Sequence, residues 1–157
     1  LDASIERFAD EHAPAVAALH RRTFGSRVSA ADLRHKYDTR HVGVEHGSFV
    51  ALAGERAVAF HGGLPQLFEA DGRAVLVGQS CDSMAAPETR GSGIYTQLFR
   101  RTEELMQRHG GALMYGVGNR AGLQAGLRMG WRDPGYRLNR YTWTVRTPRC
   151  PFRSVAT

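Results

Sequence analysis

The spacing of apolar residues changes along the chain, and each change predicts an element. SIERF, residues 4–8, reads as a short strand. In DEHAPAVAALHRRTFG, Val16, Leu19, Thr23 and Phe24 share one side of a helix, with Asp10 placed to cap it, Pro14 in its first turn and Gly25 ending it. SAADLRHKYD predicts a second, shorter helix, in which Ser29 as N-cap and Asp32 three residues on come close to a capping box. The period then shortens. SFVALAGERAVAFHGG and FEADGRAVLVGQSCDSMA carry β-branched and aromatic residues around Gly54-Glu55 and Asp71-Gly72, which predicts antiparallel strands joined by tight hairpins.

Helical spacing returns at Gly93 or Ile94. Ile94, Leu98 and Leu105 form one ridge and Tyr95, Phe99, Thr102 and Met106 an adjacent one, up to His109, before Gly110-Gly111 ends the pattern. ALMYGV is then a buried-type strand, NRAGLQAGLRMG a small helix and YRLNRYTWTV an alternating strand. The succession describes an α/β domain with a mixed, mostly antiparallel central sheet flanked by helices. It occupies residues 1–147 as one unit, and PRCPFRSVAT, residues 148–157, reads as an extended tail.

Composition narrows the chemistry. With 157 residues and 42% hydrophobic content the chain supports one domain with a real core. No apolar run approaches the roughly 20 residues that cross a bilayer, and LDASIERFADEH lacks a signal-like pattern, so no membrane partner is expected and a cytoplasmic protein is. Cys81 and Cys150 lie far apart and match no metal spacing; both are read as reduced thiols, and no metal is expected. The net charge of +6 divides into −3 over residues 1–89 and +9 over residues 90–157, which suggests an anionic partner for the second half. Without a basic block or interleaved aromatics, nucleic acid ranks below a phosphorylated small molecule.

A place for that anion is visible in PETRGSGIYTQLF, residues 87–99, where two glycines stand beside Arg90 immediately before the helix. First-turn amides of a helix have no internal acceptor and carry partial positive charge, and glycine lets an anion approach without a Cβ in the way.

The loop and its surroundings resemble the GNAT superfamily of acyl-CoA-dependent N-acetyltransferases. Arg90, Gly91, Ser92, Gly93, Ile94 and Tyr95 occupy the family pattern Q/R-x-x-G-x-G/A, with Tyr95 where a small residue is usual. CDSMAAPETRGSGIYTQL and YGVGNRAGLQAGLRMGW align without a gap with one branch of the superfamily, which also carries an aromatic at that place. The resemblance implies a GNAT-like sheet with a splay between its fourth and fifth strands, and acetyl-CoA as co-substrate. Its pantetheine arm would lie along Met84, Ala85 and Ala86, its pyrophosphate on the amides of Arg90 to Tyr95, and Asn119 would steady the arm and the following turn.

The implied reaction moves an acetyl or longer acyl group directly to a primary amine of a small molecule. It needs a base, a donor to the developing oxyanion and a proton for the leaving thiolate. A backbone N–H near Ala85 is the expected oxyanion donor. Asp82 is the first candidate base and His61 the second, the latter because an unperturbed imidazole titrates near neutral pH. Many family members carry a tyrosine acid seven residues after the asparagine; here that place is Gly126, so Tyr115, Tyr95 or Tyr141 would have to substitute. Two rival readings are a catalytically degenerate CoA-binding or regulatory domain, favoured by Gly126, and an aminoacyl transferase-like enzyme, for which the chain is short. A homodimer is compatible with either.

Overall fold

The computed structural model describes residues 2–25 and 27–135. Strands β1 (Ser4–Arg7), β2 (Phe49–Ala53), β3 (Arg56–Ala70), β4 (Arg73–Ala85) and β5 (Leu113–Gly116) form one sheet in chain order. Neighbours run antiparallel except β4 and β5, which are parallel. The parallel pair follows from the long crossover through helix α3 (Ile94–Arg108), since only antiparallel neighbours can be joined by a tight turn. The predicted hairpins are present. Asp71 and Gly72 both have positive φ, 51° and 72°, the geometry that matches strand twist in a two-residue turn.

Helix α1 (Ala13–Phe24) starts later than the sequence suggests. Asp10 lies in a preceding 3-10 turn, Asp10–His12, and makes no cap; His12 Nδ1 instead accepts from the Ala9 N–H at 3.0 Å. Pro14 sits in the first turn, where its missing N–H costs nothing, and Gly25 ends the helix with φ 69°. Val16 and Leu19 face the core, whereas Phe24 emerges and meets His20 edge-on. Helix α2 (Ala30–Lys36) has the predicted capping box, Ser29 with Asp32. Helix α4 (Arg120–Arg128) is capped by Asn119, whose side chain accepts from the Gly122 N–H at 2.9 Å. Strand β5 is more open than a buried strand, with Leu113 half exposed, because among the described residues it is paired on one side only. YRLNRYTWTV, Tyr141, Cys150 and the tail fall outside the described residues.

Alternation along β3 assigns the two faces of the sheet. Phe60 packs with Phe8 and Tyr37 on the side of α1 and α2, while His61 packs against Phe99 and Tyr95 on the side of α3. Val16, Leu19, Leu33, Phe60 and Met84 form the first layer of the core. Leu98, Phe99, Thr102 and Met106 turn α3 onto the second face.

The two glycines after His61 are there because the sheet is crowded on both sides. A Cβ on Gly62 would overlap the Tyr37 hydroxyl and come within 2.9 Å of the Cys81 carbonyl oxygen. A Cβ on Gly63 would come within 2.5 Å of Thr102 Cγ2 and 2.9 Å of the Gly47 carbonyl oxygen. We expect Gly62→Ala to destabilise the fold by about 1–3 kcal/mol. Urea denaturation at unchanged m-value measures this, and wild-type stability of the variant would contradict the packing described.

Candidate active site

The site begins with one surplus residue in β4. Phe60 pairs with Met84 but Gly62 pairs with Cys81, so Asp82 and Ser83 together oppose His61 alone, which is a β-bulge. Asp82 takes φ 46°, a left-handed value that a short polar side chain tolerates better than a branched one. The bulge inverts the strand's hydrogen-bonding phase. Before it, the Ala112 N–H donates to the Leu76 carbonyl, which sets Leu76, Gly78 and Ser80 toward β5. After it, the Ala86 N–H donates to the Val58 carbonyl at 2.8 Å, so Met84 and Ala86 spend their backbone groups on β3 and those of Ala85 turn the other way.

What Ala85 faces is a gap. Pairing between β4 and β5 stops at Ser80/Gly116, while β4 continues to Ala85. This is the splay implied by the resemblance. Of the three residues expected to offer backbone to a pantetheine arm, the pairing leaves Ala85 as the one directed into the gap.

Beyond the gap the chain passes through a 3-10 turn, Pro87–Thr89, into the loop before α3. Thr89 is buried and ties the turn to the sheet by donating to the Val58 and Ala86 carbonyls. The loop amides are not equivalent. Arg90 N–H donates to the Pro87 carbonyl, Ser92 N–H to the Thr89 carbonyl and Ile94 N–H to Ser92 Oγ at 3.4 Å. No described residue accepts from the amides of Gly91, Gly93, Tyr95 or Thr96. Gly91 and Gly93 have φ 82° and 78°, are exposed, and a Cβ at either would meet open space. The cradle is thus open and lined by unsatisfied donors, a fit for a diphosphate. Tyr95 does not close it: its ring turns inward, edge-on to His61 at 5.7 Å between centroids.

Each face of the bulge carries a polar cluster. On the α2 side, Asp82 Oδ2 accepts from Lys36 Nζ at 2.6 Å and from the Tyr37 hydroxyl at 2.9 Å. Tyr37 Oη also lies 3.5 Å from Cys81 Sγ. Burial holds the Tyr37 hydroxyl well above the ordinary phenol range and pushes the Cys81 thiol up, so both stay protonated at neutral pH. Asp82 carries the ion pair with Lys36. On the α3 side, His61 Nδ1 lies 3.0 Å from Ser83 Oγ and 3.4 Å from Tyr95 Oη. Burial also raises the Tyr95 phenol.

His61 does not have the near-neutral titration that makes an imidazole a candidate base. The ring is wholly buried, its Nε2 has no partner among the described residues, and burial lowers it to about 4, so it is neutral at pH 7 and does not titrate there. Tyr115 lies on β5 opposite Gln79, and its hydroxyl is already donated to Gln66 Oε1 at 2.6 Å. Asn119 closes the end of α4, as above. Gly126 packs on the Trp131 side chain, whose Nε1 donates to Glu103. Lys36, Tyr37, Ser83 and Thr96 were not singled out by sequence. Lys36 had left a signal, being the only lysine in a chain otherwise basic through arginine.

Among the described residues, no group of His, Cys, Asp and Glu is arranged to hold a metal ion, and no helix is long and apolar enough to cross a membrane.

The family profile described as acetyltransferase (GNAT) domain matches residues 4–132, and the chain belongs to that family. No curated protein matches the sequence. Similar solved structures include a predicted acetyltransferase with acetyl-CoA from Clostridium acetobutylicum (13% identity, TM-score 0.73, covering 89% of this chain and 96% of that one). A glucosamine-6-phosphate N-acetyltransferase from Arabidopsis thaliana is 12% identical, with TM-score 0.73, 90% of this chain and 99% of that one covered. An aminoglycoside antibiotic 6′-N-acetyltransferase from Acinetobacter baumannii is 14% identical, with TM-score 0.68 and coverage of 92% and 99%. At these identities the likeness establishes the fold.

The neutral, buried His61 has a consequence for stability. Its folded value, about 4, lies below the unfolded value near 6.5, so the unfolded chain binds the extra proton between them. The contribution is complete above about pH 6.5 and is lost as pH falls toward 4. Between about pH 7.5 and pH 4.5 the wild type should lose about 2–3 kcal/mol more than His61→Gln in denaturant titrations. Equal losses would show that His61 is not buried in its neutral form.

Proposed function

We propose that this chain is an N-acetyltransferase that transfers an acetyl group from acetyl-CoA to a primary amine of a small molecule, by direct attack in a ternary complex. The observation that carries the reading is a juxtaposition. Four unsatisfied amides in and beside a glycine loop stand at the start of α3, and the strand leading into that loop has an open edge where β5 diverges. The first suits a diphosphate and the second an extended, amide-bearing arm. Similar structures named for acetyl-CoA, glucosamine-6-phosphate or an aminoglycoside agree with that pairing of donor and amine.

Acetyl-CoA supplies the acyl thioester; the chain supplies placement and protons. The amides of Gly91, Gly93, Tyr95 and Thr96, with the Arg90 side chain beside them, hold the pyrophosphate, while Ser92 and Ile94 keep the loop in shape. The Ala85 N–H, directed into the gap, would donate to the acyl carbonyl oxygen, and one such donor can be worth about 3–4 kcal/mol. Holding both reactants in one cleft contributes up to about 7–11 kcal/mol more. Asp82 receives the acceptor's ammonium and takes its proton. Tyr95, kept protonated by burial and held by His61 and Ser83, returns a proton to the departing sulfur, a role for which Tyr115, committed to Gln66, is less well placed. His61 positions Tyr95, and Asn119 fixes the end of β5 by capping α4.

Two measurements test this. Gly93→Val should weaken coenzyme A binding at least tenfold by calorimetry while leaving the circular dichroism unchanged, because a branched side chain at φ 78° strains the loop and covers the amides. Undiminished affinity would remove the pyrophosphate site from this loop. In a free-thiol assay across primary amines, the wild type should release CoA, and Tyr95→Phe should lower kcat by about 10²–10⁴ with Tyr115→Phe changed far less. Coenzyme binding without release for any amine would favour the degenerate-domain reading.

A further inference from the structure

We propose that Lys36 is a self-acetylation site: the enzyme's own lysine occupies the place of the acceptor amine against Asp82 and accepts the acetyl group when no acceptor is present. The inference rests on the function proposed above and goes beyond it by assigning a covalent modification. Lys36 is the last residue of α2, so its flexible four-carbon stem reaches from the helix end onto the sheet. Nζ sits 2.6 Å from Asp82 Oδ2, the carboxylate at the bulge. Ala85, whose N–H faces the gap, is three residues further along the same strand, about 10 Å away. The lysine side chain is 39% exposed and that of Asp82 20%, so the ion pair is not locked in a dry core.

The geometry is that of an ammonium docked on the base, and no other lysine is present among the 157 residues to compete. Asp82 takes a proton from the Lys36 ammonium. The freed Nζ electron pair forms a bond to the acetyl carbonyl carbon of acetyl-CoA, the carbon–sulfur bond breaks with its electrons going to sulfur, and the second proton that the nitrogen sheds goes to the thiolate as CoA departs. The product is an uncharged Nζ amide, which removes the cation from Asp82 and leaves the Tyr37 hydroxyl on that carboxylate.

The experiment is incubation of the intact protein with acetyl-CoA and no acceptor, followed by intact mass and peptide mapping, with coenzyme affinity measured in parallel by calorimetry. Acetylated Lys36 also resists trypsin, which gives an independent readout. A single acetyl group should appear on Lys36 at least tenfold faster in the folded protein than in urea-unfolded chain at the same pH. It should be absent from Lys36→Arg and slowed at least tenfold in Asp82→Asn, with coenzyme affinity of both variants within about threefold of wild type. If coenzyme binds and Lys36 gains no acetyl group, or gains it no faster than the unfolded chain, self-acetylation is refuted and the proposed function stands. If coenzyme does not bind at all, both fall together.

Discussion

The surplus residue in β4 is the constraint on which the rest of the molecule depends. Asp82 and Ser83 share one place opposite His61, so pairing with β3 resumes at Met84 and Ala86 while Ala85 faces away from it. The insertion gives adjacent residues opposite faces: the Asp82 carboxylate meets the α2 side and the Ser83 hydroxyl the α3 side. The bulge is held in place from both sides, by Lys36 and Tyr37 on one and by His61 and Tyr95 on the other. Gly62 beside it removes the Cβ that would otherwise push Tyr37 away from Asp82.

The two polar clusters differ in what burial does to them. His61, Ser83 and Tyr95 lie against Phe99 under the sheet, and desolvation keeps the imidazole neutral and the phenol protonated. Hydroxyls and a neutral ring can be kept there at the cost of a few hydrogen bonds. The Lys36–Asp82 pair lies nearer solvent, where a charged pair is tolerable and exchangeable. The division matches the needs of amine acylation, in which the cationic acceptor enters from water while the thioester lies in a drier groove.

Much of this was legible in the sequence, and the rest was not for identifiable reasons. Helix α3, the two hairpins, the capping box at Ser29 and the loop around Gly91 and Gly93 follow from local periodicity and turn chemistry, which a single sequence carries. The start of α1 is not read correctly from cap preference, because Asp10 lies in a 3-10 turn whose entry is tied by the His12 ring accepting from the Ala9 N–H. The bulge has no sequence signature beyond an aspartate in a strand. Its partners Lys36 and Tyr37 are more than 40 residues away along the chain, so their meeting with Asp82 is a product of the fold. The neutrality of His61 was equally hidden, since a pKa depends on what surrounds the ring.

A coenzyme site here requires that the open amides and the open strand edge serve one ligand. Amide-resolved NMR during titration with coenzyme A tests this most directly. The signals of Gly91, Gly93, Tyr95, Thr96 and Ala85 should move together, with a single midpoint, while the amides of Arg90 and Ser92, already bonded within the loop, move less. A titration in which Ala85 stays fixed while the loop shifts, or in which none of the five responds, would contradict a continuous coenzyme site from β4 to α3.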